Sequence, residues 1–239
     1  IEVIAAGRLL TEDDLYERYS RVRRAVDGHA VVYRMFDVGS DKTLPFLDLP
    51  TEENPSLGWR GARLLLAKKE LFQSQARALA RVAQIGPIGV MYPMVIDLDQ
   101  FRALRKAFEE ATADIPGGDN IRHGIMFEVP SACLQAREIL EEAAFGSIGT
   151  NDLTQYLFAV DRGNEYVAYD YNPDRPVFWN LIRHIAEAGE ATGKPVSVCG
   201  ELAGDPKYVA KLRSLGIRSV SVSARRIPLV RTAALPDAE

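Results

Sequence analysis

The chain has 239 residues, 47% hydrophobic and 26% charged, with a formal net charge of −4. This is an ordinary globular balance and gives no electrostatic case for binding nucleic acid or an anionic membrane. The only cysteines, Cys133 and Cys199, exclude a disulfide framework and suit a cytoplasmic protein. No apolar run approaches the roughly 18 residues of a membrane span and no secretory signal is present. The first residue, Ile1, leads us to expect a segment of a longer protein.

In chain order, residues 12–26 read as an amphipathic helix with Leu15, Tyr19, Val22 and Val26 on one face. Thr11 with Asp14 resembles a capping box. Ala30 to Phe36 reads as a strand, ending in the polar loop Asp37-Val38-Gly39-Ser40-Asp41-Lys42. Residues 43–58, with Pro45, Pro50, Pro55 and Gly58, form a long irregular connection of the kind that usually carries function. A helical pattern runs from 60 to 84. Then come strand Ile88–Val95, a helix over 98–113, strand His123–Val129 and a helix from Ser131. Residues 145–149 form a strand and a helix starts near Asp152. A helix over 176–191, strand Val196–Cys199, a helix opened by Asp205-Pro206, strand Ser219–Ser223 and a helix near 226–234 complete the chain.

Six short apolar strands alternating with helices predict a parallel sheet with both faces covered. Polar residues gather just after the strands: Asp37, Glu128, Asn151, Asp152, Cys199 and Glu201. Strand C-terminal ends build the active site of a (β/α)8 barrel. Six strands fall short of eight, so two lie upstream of Ile1 or the sheet is open and doubly wound. The absence of Gly-x-Gly-x-x-Gly and P-loop patterns argues against nucleotide binding.

The stretch Gly146–Asn164 concentrates the chemistry. Asn151 and Asp152 lie at a strand-to-helix turn, and Arg162 follows. A carboxylate, an amide and a guanidinium suit a metal-bound, phosphorylated anion; equally, Asn151 or Asp152 could simply cap the helix. Arg34 lies within an apolar strand, where a buried charge needs an anionic partner, either a ligand or a carboxylate such as Asp37. Glu128 could be a charge favoured by the following helix dipole, and Cys199 a small apolar strand residue.

Six separated motifs then resemble one family. They are Tyr33-Arg34-Met35-Phe36-Asp37 with Gly39-Ser40-Asp41-Lys42, Glu53-Asn54-Pro55-Ser56-Leu57-Gly58-Trp59-Arg60, Met126-Phe127-Glu128-Val129-Pro130, Gly149-Thr150-Asn151-Asp152-Leu153-Thr154-Gln155-Tyr156, Val160-Asp161-Arg162-Gly163-Asn164, and Cys199-Gly200-Glu201-Leu202-Ala203-Gly204. In this order they resemble the C-terminal, phosphoenolpyruvate (PEP)-binding domain of the PEP-utilising enzymes. Enzyme I of the bacterial phosphotransferase system, a PEP–protein phosphotransferase, is most similar in these motifs.

The resemblance implies a TIM-type (β/α)8 barrel, here without its first two strands, with residues 1–239 as one PEP-binding domain. It implies Mg²⁺ as cofactor, held by Glu128 and Asp152. Arg34, Arg60 and Arg162 would bind the anion, with Arg63 a possible helper. Asn151, with the Asp152 and Leu153 amides, would contact phosphate oxygens. Cys199 would exchange a proton with carbon 3 of enolpyruvate, and Arg162 would assist the transfer. The activity implied is Mg²⁺-dependent phosphoryl transfer from PEP to a histidine on a separate swivelling domain, releasing pyruvate, with a downstream phosphocarrier protein, a homodimer and a link to sugar transport. Exposed apolar residues near Trp59 or on the C-terminal helices would support the dimer.

Two departures qualify this. The family's Arg-Thr-Glu arginine would lie before Ile1, so the isolated fragment is expected to be inactive. The loop reads Gly39-Ser40 where Gly-Gly is common in the family. His29, His123 and His184 match no phosphoacceptor motif, and Cys133 matches no motif at all. The competing readings are a non-catalytic PEP-sensing or dimerisation module and a Mg²⁺-dependent 2-oxo acid lyase, which would need neither Cys199 nor the long loop.

Overall fold

The computed structural model describes residues 7–26, 28–39, 47 and 49–235. Ser40–Lys42 and Pro45 therefore lie outside the described residues. The chain falls into two compact units, one of residues 1–95 with 99–124 and one of residues 96–98 with 125–239.

The first unit begins with helix α1 (Glu12–Ala25), whose capping box is formed: the Asp14 amide bonds the Thr11 hydroxyl and the Thr11 amide bonds the Asp14 carboxylate. Leu15 and Tyr19 are buried as expected, but Val22 is exposed and Arg23 takes the inward place. Strand β1 is only Val32–Arg34, followed by α2 (Gly61–Ala67), α3 (Lys69–Ala83), β2 (Ile88–Tyr92) and α4 (Leu98–Ala111). The single helix expected over 60–84 is broken at Lys68, at φ −95° and ψ 76°. Neither glycine nor proline marks that break. The strand expected over 88–95 stops at Tyr92, and Met94 follows with φ 56°. α1 packs on α3, and Arg77 and Arg81 of α3 bind Glu12 at 3.0 and 2.9 Å across that seam.

The boundary between the units falls within β3 (Ile121–Phe127). The second unit continues with α5 (Pro130–Leu134), α6 (Ala136–Glu142), β4 (Phe145–Gly149), α7 (Thr150–Leu157), α8 (Pro176–Thr192), β5 (Val196–Cys199), α9 (Pro206–Ser214), β6 (Ser219–Val220) and α10 (Ile227–Ala234). Asp205 caps α9 by accepting from the Lys207 amide at 3.0 Å, with Pro206 in the first turn.

Strands that follow in the chain are neighbours in the sheet: β1-β2-β3 in the first unit and β3-β4-β5-β6 in the second. The pairs β1–β2, β4–β5 and β5–β6 are parallel. Ile125, Phe127, Ile148 and Val198 are fully buried. Each such side chain contributes about 1.5–3 kcal/mol. This is the α/β class expected from the alternation of elements, and it agrees with the TIM-type barrel that the resemblance implies. Among the described residues no helix is long and apolar enough to cross a membrane.

Candidate functional site

In the first unit the residues of interest follow β1. Arg34 ends that strand and is exposed. The expected burial is therefore wrong: in a three-residue strand with alternating faces only Tyr33 points inward, and Val32 on Arg34's face is 48% exposed. Arg60 binds the Asp37 carboxylate through Nε at 3.2 Å and Nη2 at 2.7 Å, in a pair whose side chains are 6% and 5% exposed. The pairing sets the plane of the Arg60 guanidinium.

Gln75, buried on α3, donates to the Arg34 carbonyl at 3.1 Å and accepts from the Phe36 amide at 2.8 Å. It holds the chain just where β1 ends. Sequence reasoning missed it, although a lone amide on a stripe with Phe72, Ala76 and Leu79 was a usable signal. Arg63 donates to the Leu57 and Gly58 carbonyls at 2.8 and 3.1 Å, so it supports the loop. Glu52 does the same from the other end, accepting from the Trp59 amide at 2.9 Å.

The second unit gathers Glu128, Asn151, Asp152 and Cys199 at consecutive strand ends. Glu128 directly follows β3 and is 1% exposed. Asp152 stands in the first turn of α7 and is 8% exposed. A Cβ on Gly149 would lie 2.7 Å from Glu128 Oε2, so the carboxylate lies against the end of β4, three residues before Asp152. Only a residue without a side chain leaves that space.

The capping alternative for Asn151 and Asp152 does not hold. α7 has Gly149 at its N-cap and no side-chain cap. Asn151 Oδ1 instead accepts from the Glu201 amide at 3.0 Å. With its oxygen tied back, Asn151 presents its NH2 group, the end an anion needs. Glu128 precedes the short helix α5, which has no acid in its first turn. Leu153 is fully buried, so only its main chain could meet a ligand.

Cys199 ends β5 opposite Gly149 of β4 and is partly exposed. Its thiol lies 3.4 Å from the Ile148 carbonyl, and its own carbonyl accepts from the Thr150 hydroxyl at 2.7 Å. Gly200, at φ +90°, makes the turn that follows, and a Cβ there would collide with Thr150 Oγ1 and approach Asn151 Oδ1. One glycine thus lets a single turn hold both the thiol and the amide.

Arg162 is exposed, with its main-chain amide bonded to Gln155 Oε1 at 3.3 Å. A cavity of about 200 Å³ opens beside Asn151, with Thr150, Tyr171, Glu201, Asp205 and Tyr208 among its lining. Glu128, Asp152 and Cys199 are not in its wall.

Cys133 is fully buried, and burial pushes its thiol pKa up, with the Glu128 charge adding to the effect. His29 is exposed and His184 lies 3.4 Å from the Leu134 carbonyl. Burial, then the Arg105 charge, lowers the His123 pKa to about 4.

The family profile described as PEP-utilising enzyme, PEP-binding domain, matches residues 2–237. The chain belongs to this family. A "phosphoenolpyruvate-protein phosphotransferase" of Haemophilus influenzae is 41% identical over 229 residues, which are 94% of this chain and 40% of that protein. The protein of the same name from Lactococcus lactis subsp. lactis is 43% identical over 229 residues, 93% of this chain and 40% of its own. That from Geobacillus stearothermophilus is 43% identical over 233 residues, covering 95% and 40%. The chain thus spans about two fifths of the length of the curated relatives it matches.

Among solved structures, a malate synthase from Haloferax volcanii superposes with a TM-score of 0.63 at 13% identity, over 95% of this chain and 62% of that one. A citrate lyase from Burkholderia xenovorans gives 0.58 at 12%, over 96% and 76%. At such identities these two share the fold alone.

Proposed function

We propose that residues 1–239 act as the PEP-binding catalytic domain of a cytoplasmic PEP–protein phosphotransferase. The phosphoryl group of PEP passes to a histidine on a separate domain, and pyruvate is released. The observation that carries this is the junction of β4 and α7, where Asn151 and Asp152 stand in the first turn of α7, the buried Glu128 carboxylate lies against Gly149, and Cys199 is opposite Gly149 in register. The identity of 41–43% to proteins named for this activity, against 12–14% to the citrate lyase and malate synthase that share the fold, favours it over a lyase.

Glu128 and Asp152 would hold Mg²⁺. Two buried carboxylates are an all-oxygen donor pair, and magnesium takes one or two carboxylates plus substrate oxygens and water. No group of three or more His, Cys, Asp or Glu is gathered as a metal site among the described residues, so substrate and solvent would complete the shell. The ion would supply charge stabilisation for the developing enolate. Asn151 donates to a phosphate oxygen through Nδ2. Arg34, Arg60 and Arg162 donate to the phosphate and carboxylate oxygens of PEP. Cys199 S–H gives its proton to carbon 3 of the enolate after the phosphorus–oxygen bond breaks, and solvent restores the thiol. A second copy of the chain and a phosphocarrier protein are the proposed partners, and Leu57, Ile227, Leu229 and Leu235, all exposed, suit the former.

The test is incubation of the full-length protein with [³²P]PEP and Mg²⁺. Acid-labile phosphohistidine is the expected product, absent in Glu128→Gln and Asp152→Asn. Label that never reaches histidine in the unaltered protein sinks the proposal.

A further inference from the structure

The outer side of β1 is met by a side chain. Met35, one residue past the strand, donates its main-chain amide to the Met91 carbonyl of β2 at 2.9 Å. Main-chain groups alternate in direction along an extended chain, so the Arg34 carbonyl and the Phe36 amide point away from β2. Among the described residues that side is the edge of the sheet. There the Gln75 carboxamide bonds both groups, donating to the Arg34 carbonyl at 3.1 Å and accepting from the Phe36 amide at 2.8 Å. A residue of a further parallel strand would meet the same two groups; one buried amide stands in for it. Nε2 gives its second proton to the Tyr19 hydroxyl, at 3.0 Å. That bond fixes which end of the amide faces which group. Tyr19 is itself seated by Tyr33, whose hydroxyl donates to the Tyr19 carbonyl at 2.7 Å.

The segment held in this way leads to two of the arginines. Arg34 is exposed, while its backbone lies between β2 and Gln75. Asp37 directly follows Phe36 and holds the Arg60 guanidinium. We propose that Gln75 is a positioning residue for the anion, setting where Arg34 leaves the strand and where Asp37 presents Arg60. This deepens the PEP reading and rests on it. Gln75 acts through the two arginines, which hold PEP before and during transfer. Its loss must therefore weaken binding more than it slows the transfer step.

The experiment measures phosphohistidine formation against PEP concentration, with Mg²⁺, in the full-length protein and its Gln75→Met variant. Methionine keeps the length and bulk of the side chain, and thermal unfolding shows the temperature at which the variant is fully folded. The expected result is a half-saturating PEP concentration raised about tenfold, as for misalignment of one hydrogen bond to a charged group, with the limiting rate unchanged within about threefold. Tyr19→Phe, which removes the hydroxyl that orients the amide and keeps the ring, is the milder variant and should raise the same concentration about two- to threefold. Added to Arg34→Ala, Gln75→Met should have a smaller effect than alone; added to Arg162→Ala, it should have the same effect as alone. Unchanged half-saturation in the folded variants, or an equal effect in both arginine backgrounds, overturns the positioning role and leaves the PEP reading intact. An unaltered protein that forms no phosphohistidine overturns that reading and this inference with it.

Discussion

The two units hold their polar side chains by different physics. In the first, Arg60 is held by a carboxylate, in an ion pair almost wholly out of water. In the second, Asn151 and Cys199 are held by neutral bonds from a main-chain amide, a hydroxyl and a phenol. A buried charge pair gains little over an apolar pair while intact, but breaking it strands a charge. Neutral bonds contribute about 1 kcal/mol each, and their value lies in direction. The first unit should therefore lose stability when its polar partners are altered, and the second should lose alignment.

The sharpest way to break that contrast is Asp37→Ala. It leaves the Arg60 guanidinium buried without this partner and should destabilise by about 3–5 kcal/mol, read by urea denaturation. The double variant Asp37→Leu with Arg60→Met should recover much of the loss. If the single variant costs under about 1 kcal/mol, the pair is not the desolvated one its burial implies.

Next in size is Gly200→Ala in the second unit. The left-handed backbone and the contacts with Thr150 and Asn151 together predict a loss of about 2–4 kcal/mol. The distinguishing sign is that PEP affinity also falls, because the Glu201 amide swings away from Asn151. A loss of stability with ligand binding intact would separate the turn from the site.

How much of this was open to a reader of the sequence follows the same division. Local signals were dependable: Thr11–Asp14 and Asp205-Pro206 act through their own backbone, and the strands around 90, 125, 147 and 198 follow from apolar runs. That Glu128, Asn151 and Asp152 stand just after strands was also legible, from the apolar runs before them. What failed was long-range pairing. Asp37 was offered to Arg34, three residues away, and nothing in the pattern announced that it binds Arg60, 23 residues on. Arg34 was read as buried because a strand was read as seven residues long; β1 has three, and its end is open. Tyr171 carried no signal at all, since its bond to the Asn151 carbonyl spans twenty residues.

A third, smaller effect concerns pH. His123 stacks on Tyr92, and the Tyr92 hydroxyl lies 2.9 Å from Nδ1. The folded ring titrates near 4, depressed mainly by burial, whereas an unfolded histidine titrates near ~6.5. Above that value both states are neutral and nothing changes. As pH falls from about 6.5 towards 4, the unfolded chain takes up a proton that the folded one refuses, so stability falls, by up to about 3 kcal/mol. His123→Gln keeps a partner for Tyr92 and should flatten that part of a denaturation series. An unchanged slope would mean that the acid sensitivity lies in other groups.

The smallest expected effect tests alignment most directly. Thr150→Val keeps the shape of the side chain and removes its bond to the Cys199 carbonyl. The stability cost is about 1 kcal/mol, close to the limit of what denaturation resolves, so a chemical readout on the thiol serves better. Cys133 is fully buried and its thiol is held protonated by burial, so a disulfide reagent added to the folded protein reports Cys199 alone. The reaction rate depends on how far the thiol is turned towards solvent and away from the Ile148 carbonyl, 3.4 Å from it. Thr150→Val should change that rate several-fold, and Thr150→Ser, which restores the hydroxyl, should return it to the original value. If valine and serine react alike, the hydroxyl does not aim the thiol, and Gly200 alone must be what holds the turn.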